Sequence, residues 1–150
     1  MLDAAEVILV KDSISLTDAA TASLPTGLQG LGGTQLPNND MLLSGGWTGS
    51  ARSDEYQIYK NGFNQWKKVG TMRKARYYHS SVMIDGYLFT AGGRDSSWLT
   101  SSHLEEFSFL GGVKEKKEMP VSLYSHSATI LDKNKMLICG GLDTKDVSKE

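Results

Sequence analysis

Apolar residues along this chain fall in short runs broken by turn residues, and nowhere does a spacing of three and four persist over a helix length. The run "HSSVMI" (His79 to Ile84) is followed by Asp85-Gly86, the pair that favours a type I′ hairpin, and then by "YLFTAGG". "SDEYQIY" and "QWKKVG" flank a connection holding Asn61-Gly62. "EVILV" and "SISL" near the start, and "HSATIL" and "KMLICGG" near the end, read the same way. The pattern predicts an all-β chain of short antiparallel strands.

The runs repeat. "MLLSGGW", "YLFTAGGR" and "MLICGGL" place glycine pairs at Gly45-Gly46, Gly92-Gly93 and Gly140-Gly141, in steps of 47 and 48 residues. The flanks repeat as well. "LPTGLQGLGGTQLPNNDMLLSGG" from Leu24 aligns without a gap to "MPVSLYSHSATILDKNKMLICGG" from Met119. "MRKARYYHSSVMIDGYLFTAGG" from Met72 is the same unit, one residue shorter at its turn. No Gly-Lys-Ser/Thr follows any glycine pair, and "GLQGLGG" lacks dinucleotide-binding spacing, so these glycines hold no phosphate. A β-patterned period near fifty predicts four-stranded propeller blades.

In these residues the chain resembles the kelch repeat. The glycine pair after an apolar strand occurs three times. A Tyr…Trp pair follows once, as Tyr59 and Trp66, and then a Met…Arg…His run, as Met72, Arg76 and His79. The likeness covers about residues 24 to 141. It departs from the pattern at Phe107, which stands where the tyrosine belongs in a unit without tryptophan, and at Leu123, which replaces Arg76 in the last copy. The resemblance implies a kelch-type β-propeller of about three blades. Two are whole, from about Leu28 to Gly70 and Tyr77 to Glu118. Residues 1–23 hold two outer strands of a preceding blade, and residues 142–150 form a tail or truncated blade. Propellers close with four to eight blades. The expectation is therefore a fragment or half of an assembly, with open blade edges that associate.

A blade array also explains the glycines. Blades crowd together near the axis, and a Cβ at Gly45, Gly46, Gly92, Gly93, Gly140 or Gly141 is expected to meet the neighbouring blade. Trp66 is expected to fill the wider gap between blades further out. Cys139, beside a glycine pair, reads as a small buried hydrophobe. Glu105 and Glu106 alternate faces of one strand, so they do not converge on a substrate and read as a half-exposed strand.

Charge narrows the partners. Sixteen Lys and Arg against seventeen Asp and Glu leave a net charge of -1, which gives no electrostatic case for nucleic acid or an anionic membrane. One cysteine, no Asn-x-Ser/Thr acceptor, and only four apolar residues in a row near the start (Val7 to Val10) point to the cytoplasm. His79 and His126 occupy equivalent positions, but no third ligand accompanies them, so no metal or other cofactor is expected. No serine-histidine-aspartate set is fixed by the pattern.

Binding therefore belongs to loops: those joining blades, 72–78 and 119–125, and those after the glycine pairs, 47–55 and 94–103. Arginine and aromatic residues dominate binding hot spots. Arg73, Arg76, Tyr77, Tyr78, Arg94, Trp98 and Tyr124 form the candidate ligand-binding rim, with Arg suited to a carboxylate or an acidic peptide. The resemblance implies a non-catalytic protein-interaction module. It includes adaptors of cullin-type ubiquitin ligases, which hold acidic peptides with such loops and carry BTB and BACK domains. It also includes extracellular proteins and enzymes of the copper-oxidase and sugar-mutarotase kinds.

Overall fold

The computed structural model describes residues 22–143, together with the backbone of Val7–Val10 and Ile14–Thr17. The far end of the expected tail, residues 144–150, lies outside the described residues, as do 1–6, 11–13 and 18–21. β1 (Val7–Val10) pairs antiparallel with β2 (Ile14–Thr17) as a separate two-stranded sheet. The next sheet is a four-stranded meander of β3 (Gly32–Gln35), β4 (Met41–Ser44), β5 (Glu55–Lys60) and β6 (Gln65–Thr71). A second meander holds β7 (Ser80–Ile84), β8 (Tyr87–Ala91), β9 (Leu104–Ser108) and β10 (Gly112–Glu115). β11 (Ser127–Asp132) and β12 (Lys135–Cys139) form a final pair. Two whole blades and two half blades are thus as the repeats predict. Asp85 and Gly86, at φ +49° and +81°, make the type I′ turn. Asn61-Gly62 instead opens a 3₁₀ turn, Asn61–Phe63, closed by Asn64 at φ +49°.

The innermost strands β3, β7 and β11 lie side by side, so the sheets fan from a common centre. The main core lies between the two whole blades. Leu42, Tyr56 and Ile58 of the first pack with Leu88 and Phe107 of the second. Tyr56 and Phe107 stack at 4.3 Å between ring centroids, an arrangement worth about 0.5–1.5 kcal/mol beyond area burial. Burial pushes the Tyr56 phenol up to about 12, against the smaller opposing effect of its contact with Thr90.

Two backbone hydrogen bonds stitch each seam. The second glycine of the pair donates outward: Gly46 N–H to the Arg76 carbonyl (2.9 Å), and Gly93 N–H to the Leu123 carbonyl (2.8 Å). Nearby, Tyr78 N–H donates to the Gly30 carbonyl (2.6 Å) and Ser125 N–H to the Tyr78 carbonyl (2.8 Å). Tyr78 and Ser125 adopt φ of +54° and +55°, a left-handed conformation that costs side-chain-bearing residues about 1–2 kcal/mol. A Cβ on Gly45 would stand 2.5 Å from the Arg76 carbonyl oxygen, and one on Gly92 2.5 Å from that of Leu123. The first glycine thus lets the seam close, and the second supplies its donor. Gly46 and Gly93 instead face Leu28, Leu31, Tyr77 and His79 of their own blades. At Gly140 nothing lies within 4 Å, and no further blade is present among the described residues.

Three expectations are corrected. Cys139 is exposed, since among the described residues its strand has neither an outer neighbour nor a following blade. Glu105 and Glu106 are buried rather than half-exposed; they pair with Arg76 and Lys116. Trp66 is half-buried and ties down the segment entering its blade. Its indole N–H donates to the Ala22 carbonyl (2.7 Å), while its ring packs on Tyr59 and both Tyr59 Oη–H and Ala22 N–H donate to Asn64.

Candidate interaction surface

The loop after each glycine pair folds back on the strand entry of its own blade. Gln29 bridges Trp47, Tyr77 bridges Arg94, and Tyr124 bridges Leu142, the same three positions in successive repeats. This ladder brings side chains of three blades together at one end of the array. Trp47, Tyr77 and Trp98 form a triangle with ring centroids 6.0–6.1 Å apart. Tyr78 packs on Tyr77 at 4.8 Å, and its hydroxyl meets the amide of Gln29. Arg52 lies 4.3 Å over the Trp98 ring and 5.6 Å over that of Tyr77. Arg94 lies 4.0 Å over Tyr124. Trp98 is 51% exposed, on a loop turned by Asp95, whose carboxylate accepts from the N–H groups of Ser97 and Leu99.

The four arginines of the chain divide evenly. Arg73 faces Glu115 at 3.8 Å on the outer strand. Arg76 is 1% exposed. Its guanidinium donates to the carbonyls of Gly92 (3.0 Å) and His103 (3.2 Å) and to Glu105 (2.7 Å). Burial takes Arg76 off the expected rim, where it would have met a ligand, and makes it the pin that fastens both ends of the 94–103 loop. Tyr77, 2% exposed, is likewise a floor under the rim rather than its surface. Arg52 and Arg94, in contrast, lie on aromatic faces, and neither pairs with a carboxylate among the described residues. Of the expected rim, Tyr78, Arg94, Trp98 and Tyr124 stand partly or fully accessible at this end. Sequence reasoning missed Trp47, Arg52 and Gln29. The signal was present in part: Trp47 holds the repeat position of Arg94, directly after a glycine pair.

Beneath the rim, His79 is buried and its Nε2 meets the Ser44 hydroxyl of the preceding blade at 2.8 Å. Burial above all, then the Arg76 charge and His126, holds His79 down to about 3. His126, at the next equivalent position, is also lowered by burial, partly offset by the Ala91 backbone.

No family model matches the chain. Kelch-like protein 21 of Bos taurus is 43% identical over 51 residues, 34% of this chain and 8% of that protein. Beta-scruin of Limulus polyphemus is 32% identical over 65 residues, 43% of this chain and 7% of that protein. Kelch-like protein 38 of Mus musculus is 26% identical over 136 residues, 90% of this chain and 22% of that protein. The chain thus spans less than a quarter of the length of each of these relatives. Among solved structures, YjhT superposes with a TM-score of 0.70 at 16% identity, over 83% of this chain and 37% of that one, a likeness of fold.

Proposed function

The chain is a divergent, partial kelch-type β-propeller, and from that premise we propose that it is a non-catalytic protein-interaction module whose rim holds an acidic peptide. The observation that carries this reading is the pair Arg52 and Arg94, each stacked on exposed or half-exposed rings without a carboxylate partner among the described residues. Nε and Nη2 of Arg52 and Nε of Arg94 lack a hydrogen-bond partner in the described structure, and a guanidinium over a ring suits an Asp or Glu side chain bidentately once the rim opens to it. Trp98 and Tyr78 supply the aromatic contact area typical of binding hot spots. The kelch-like relatives favour a protein partner over a small substrate. Within that class, the finer reading is the substrate-recognition part of a ubiquitin-ligase adaptor in the cytoplasm, which calls for BTB and BACK domains in the same protein.

The test is selection of binding peptides from a random display library on the immobilised chain. The expected outcome is enrichment of Asp- and Glu-containing peptides, with affinity lowered at least tenfold by Arg94→Glu and by Trp98→Ala and the unfolding midpoint unchanged. Peptides that bind those variants as tightly as the parent chain, or an absence of enrichment, would refute the rim.

A further inference from the structure

Arg76 fills a slot in the second whole blade, and the same slot in the first whole blade is built differently. Backbone contacts fix the equivalence. Gly92 N–H donates to the His103 carbonyl as Gly45 N–H does to that of Glu55, and Met119 N–H donates to Ser102 as Met72 N–H does to Asp54. Ser102, His103 and Glu105 therefore correspond to Asp54, Glu55 and Gln57. Tyr77 bridges Arg94 as Gln29 bridges Trp47, so Leu28 stands where Arg76 does.

In the second blade the Arg76 guanidinium donates to the Gly92 and His103 carbonyls and to Glu105. Leu28 carries no donor. In its place Leu28, Asp54, Glu55 and Gln57 line a cleft of about 250 Å³. Gln57 is 7% exposed. Its amide nitrogen donates to Glu55 Oε2 (2.9 Å), which fixes the direction of the amide. Its Oε1, at the repeat position of the Glu105 carboxylate, has no hydrogen-bond partner. A buried acceptor left unmatched is costly, so this oxygen marks a point that calls for a donor. The lining is also more acidic than in the second blade. Asp54 replaces Ser102 and has no cation within 4 Å among the described residues. Glu55 replaces His103, and Lys68 pairs with its Oε1. Arg52, the one cation among the described lining residues, turns its guanidinium onto the rings of Trp98 and Tyr77. The other three arginines of the chain are engaged elsewhere: Arg73 at Glu115, Arg76 in its own slot and Arg94 on Tyr124.

We propose that this cleft binds an arginine side chain presented by a protein partner, as the second blade binds its own Arg76. The guest guanidinium donates to Gln57 Oε1 and to the carbonyls of Gly45 and Glu55, the counterparts of the three acceptors that hold Arg76. Asp54 supplies the opposite charge. A planar fork of donors suits such a set, whereas an ammonium does not match its geometry. The site is opposite in sign to the acidic-peptide rim and does not depend on that reading.

The probe is N-acetyl-argininamide, titrated into the full chain by calorimetry and by the side-chain amide resonance of Gln57. Saturable binding that shifts this resonance is expected, with the neutral citrulline analogue and the lysine analogue each at least tenfold weaker. Leu28→Arg fills the slot from within, so it should abolish binding and raise the unfolding midpoint. Gln57→Leu keeps the bulk, removes the oxygen and should weaken binding at least tenfold with tryptophan fluorescence unchanged; it decides the matter if Leu28→Arg does not fold. Arg94→Glu, which breaks the rim, should leave argininamide binding unaltered, so either reading can fail without the other. The proposal is overturned by an absence of saturable binding or by equal binding of either analogue. Binding that persists in folded Leu28→Arg or at full strength in Gln57→Leu, or that is lost in Arg94→Glu, overturns it as well.

Discussion

A glycine pair ends each of the three repeats, and its first member carries a higher cost of replacement than a turn glycine. Gly86 and Gly92 both sit at positive φ, +81° and +65°. Alanine at either meets the same left-handed strain, about 1–2 kcal/mol. Only at Gly92 does the new Cβ also strike backbone, the Leu123 carbonyl at 2.5 Å; at Gly86 the space is open. Gly92→Ala should therefore lose roughly 1–3 kcal/mol more than Gly86→Ala, the range of an overpacked site, in urea unfolding. Equal losses would mean that the seam is looser than the distance implies. His79 makes a second prediction at this scale. The unfolded imidazole takes up a proton near its ordinary value of 6.5, whereas the buried one resists until about 3. Between those values the unfolded state binds more protons, so stability is whole above pH 6.5 and declines as pH falls toward 3. Asp40 and Glu55, held below the usual carboxylate range by Lys60 and Lys68, act lower in pH. The window from pH 7 to 5 thus isolates the histidines, and His79→Gln should flatten the fall in unfolding midpoint there. An unaltered slope would count against the buried neutral ring.

Elements show how much was legible from spacing alone. The strands, their meander order and the half blades at each end followed from apolar runs and a period near fifty. What spacing could not give was the depth of each polar side chain. Arg76 and Arg94 are the same residue type in adjoining loops, yet one is sealed and the other lies on a ring at the surface. The difference is set by the entry to β9, 27 to 29 residues further along, which brings the His103 carbonyl and Glu105 to Arg76. Likewise Glu105 looked like one face of a half-exposed strand because its cation comes from a different segment. Arg76→Met leaves Glu105 charged and buried without its partner, and should cost about 3–5 kcal/mol. Arg76→Met/Glu105→Leu should recover much of that loss, since an apolar pair replaces a buried ion pair at little cost. A double variant no more stable than the single one would show that the carbonyl contacts of Arg76 matter more than its charge.

For the whole molecule, cohesion is a chain of nearest-neighbour seams, and repeat arrays of this kind are stabilised seam by seam. The seam between the two whole blades carries the main core, with Phe107 at its middle. Phe107→Ala should cost about 3–5 kcal/mol, the range for a buried aromatic, and should separate the unfolding of the two whole blades. The check is whether the tryptophan signal and far-ultraviolet circular dichroism, coincident in the parent chain, part in the variant. Coincident curves in both would mean that the inner-strand hydrogen bonds alone keep the blades cooperative. The sequence made the blade count readable but left the rim only half readable. A rim is assembled across blades, and Trp47 meets Trp98 and Tyr77 through geometry that no local window contains.

Arg76 grips the carbonyls at both feet of the 94–103 loop, so the stretch between them hangs from a fixed clasp. Such a loop is a natural graft point. Exchange of its tip, from Asp95 to Leu99, for a foreign sequence of similar span is expected to keep the sheets folded, while losing the Trp98 contacts with Trp47 and Tyr77. On the proposed interaction reading, the specificity carried by this loop is separable from the scaffold that holds it.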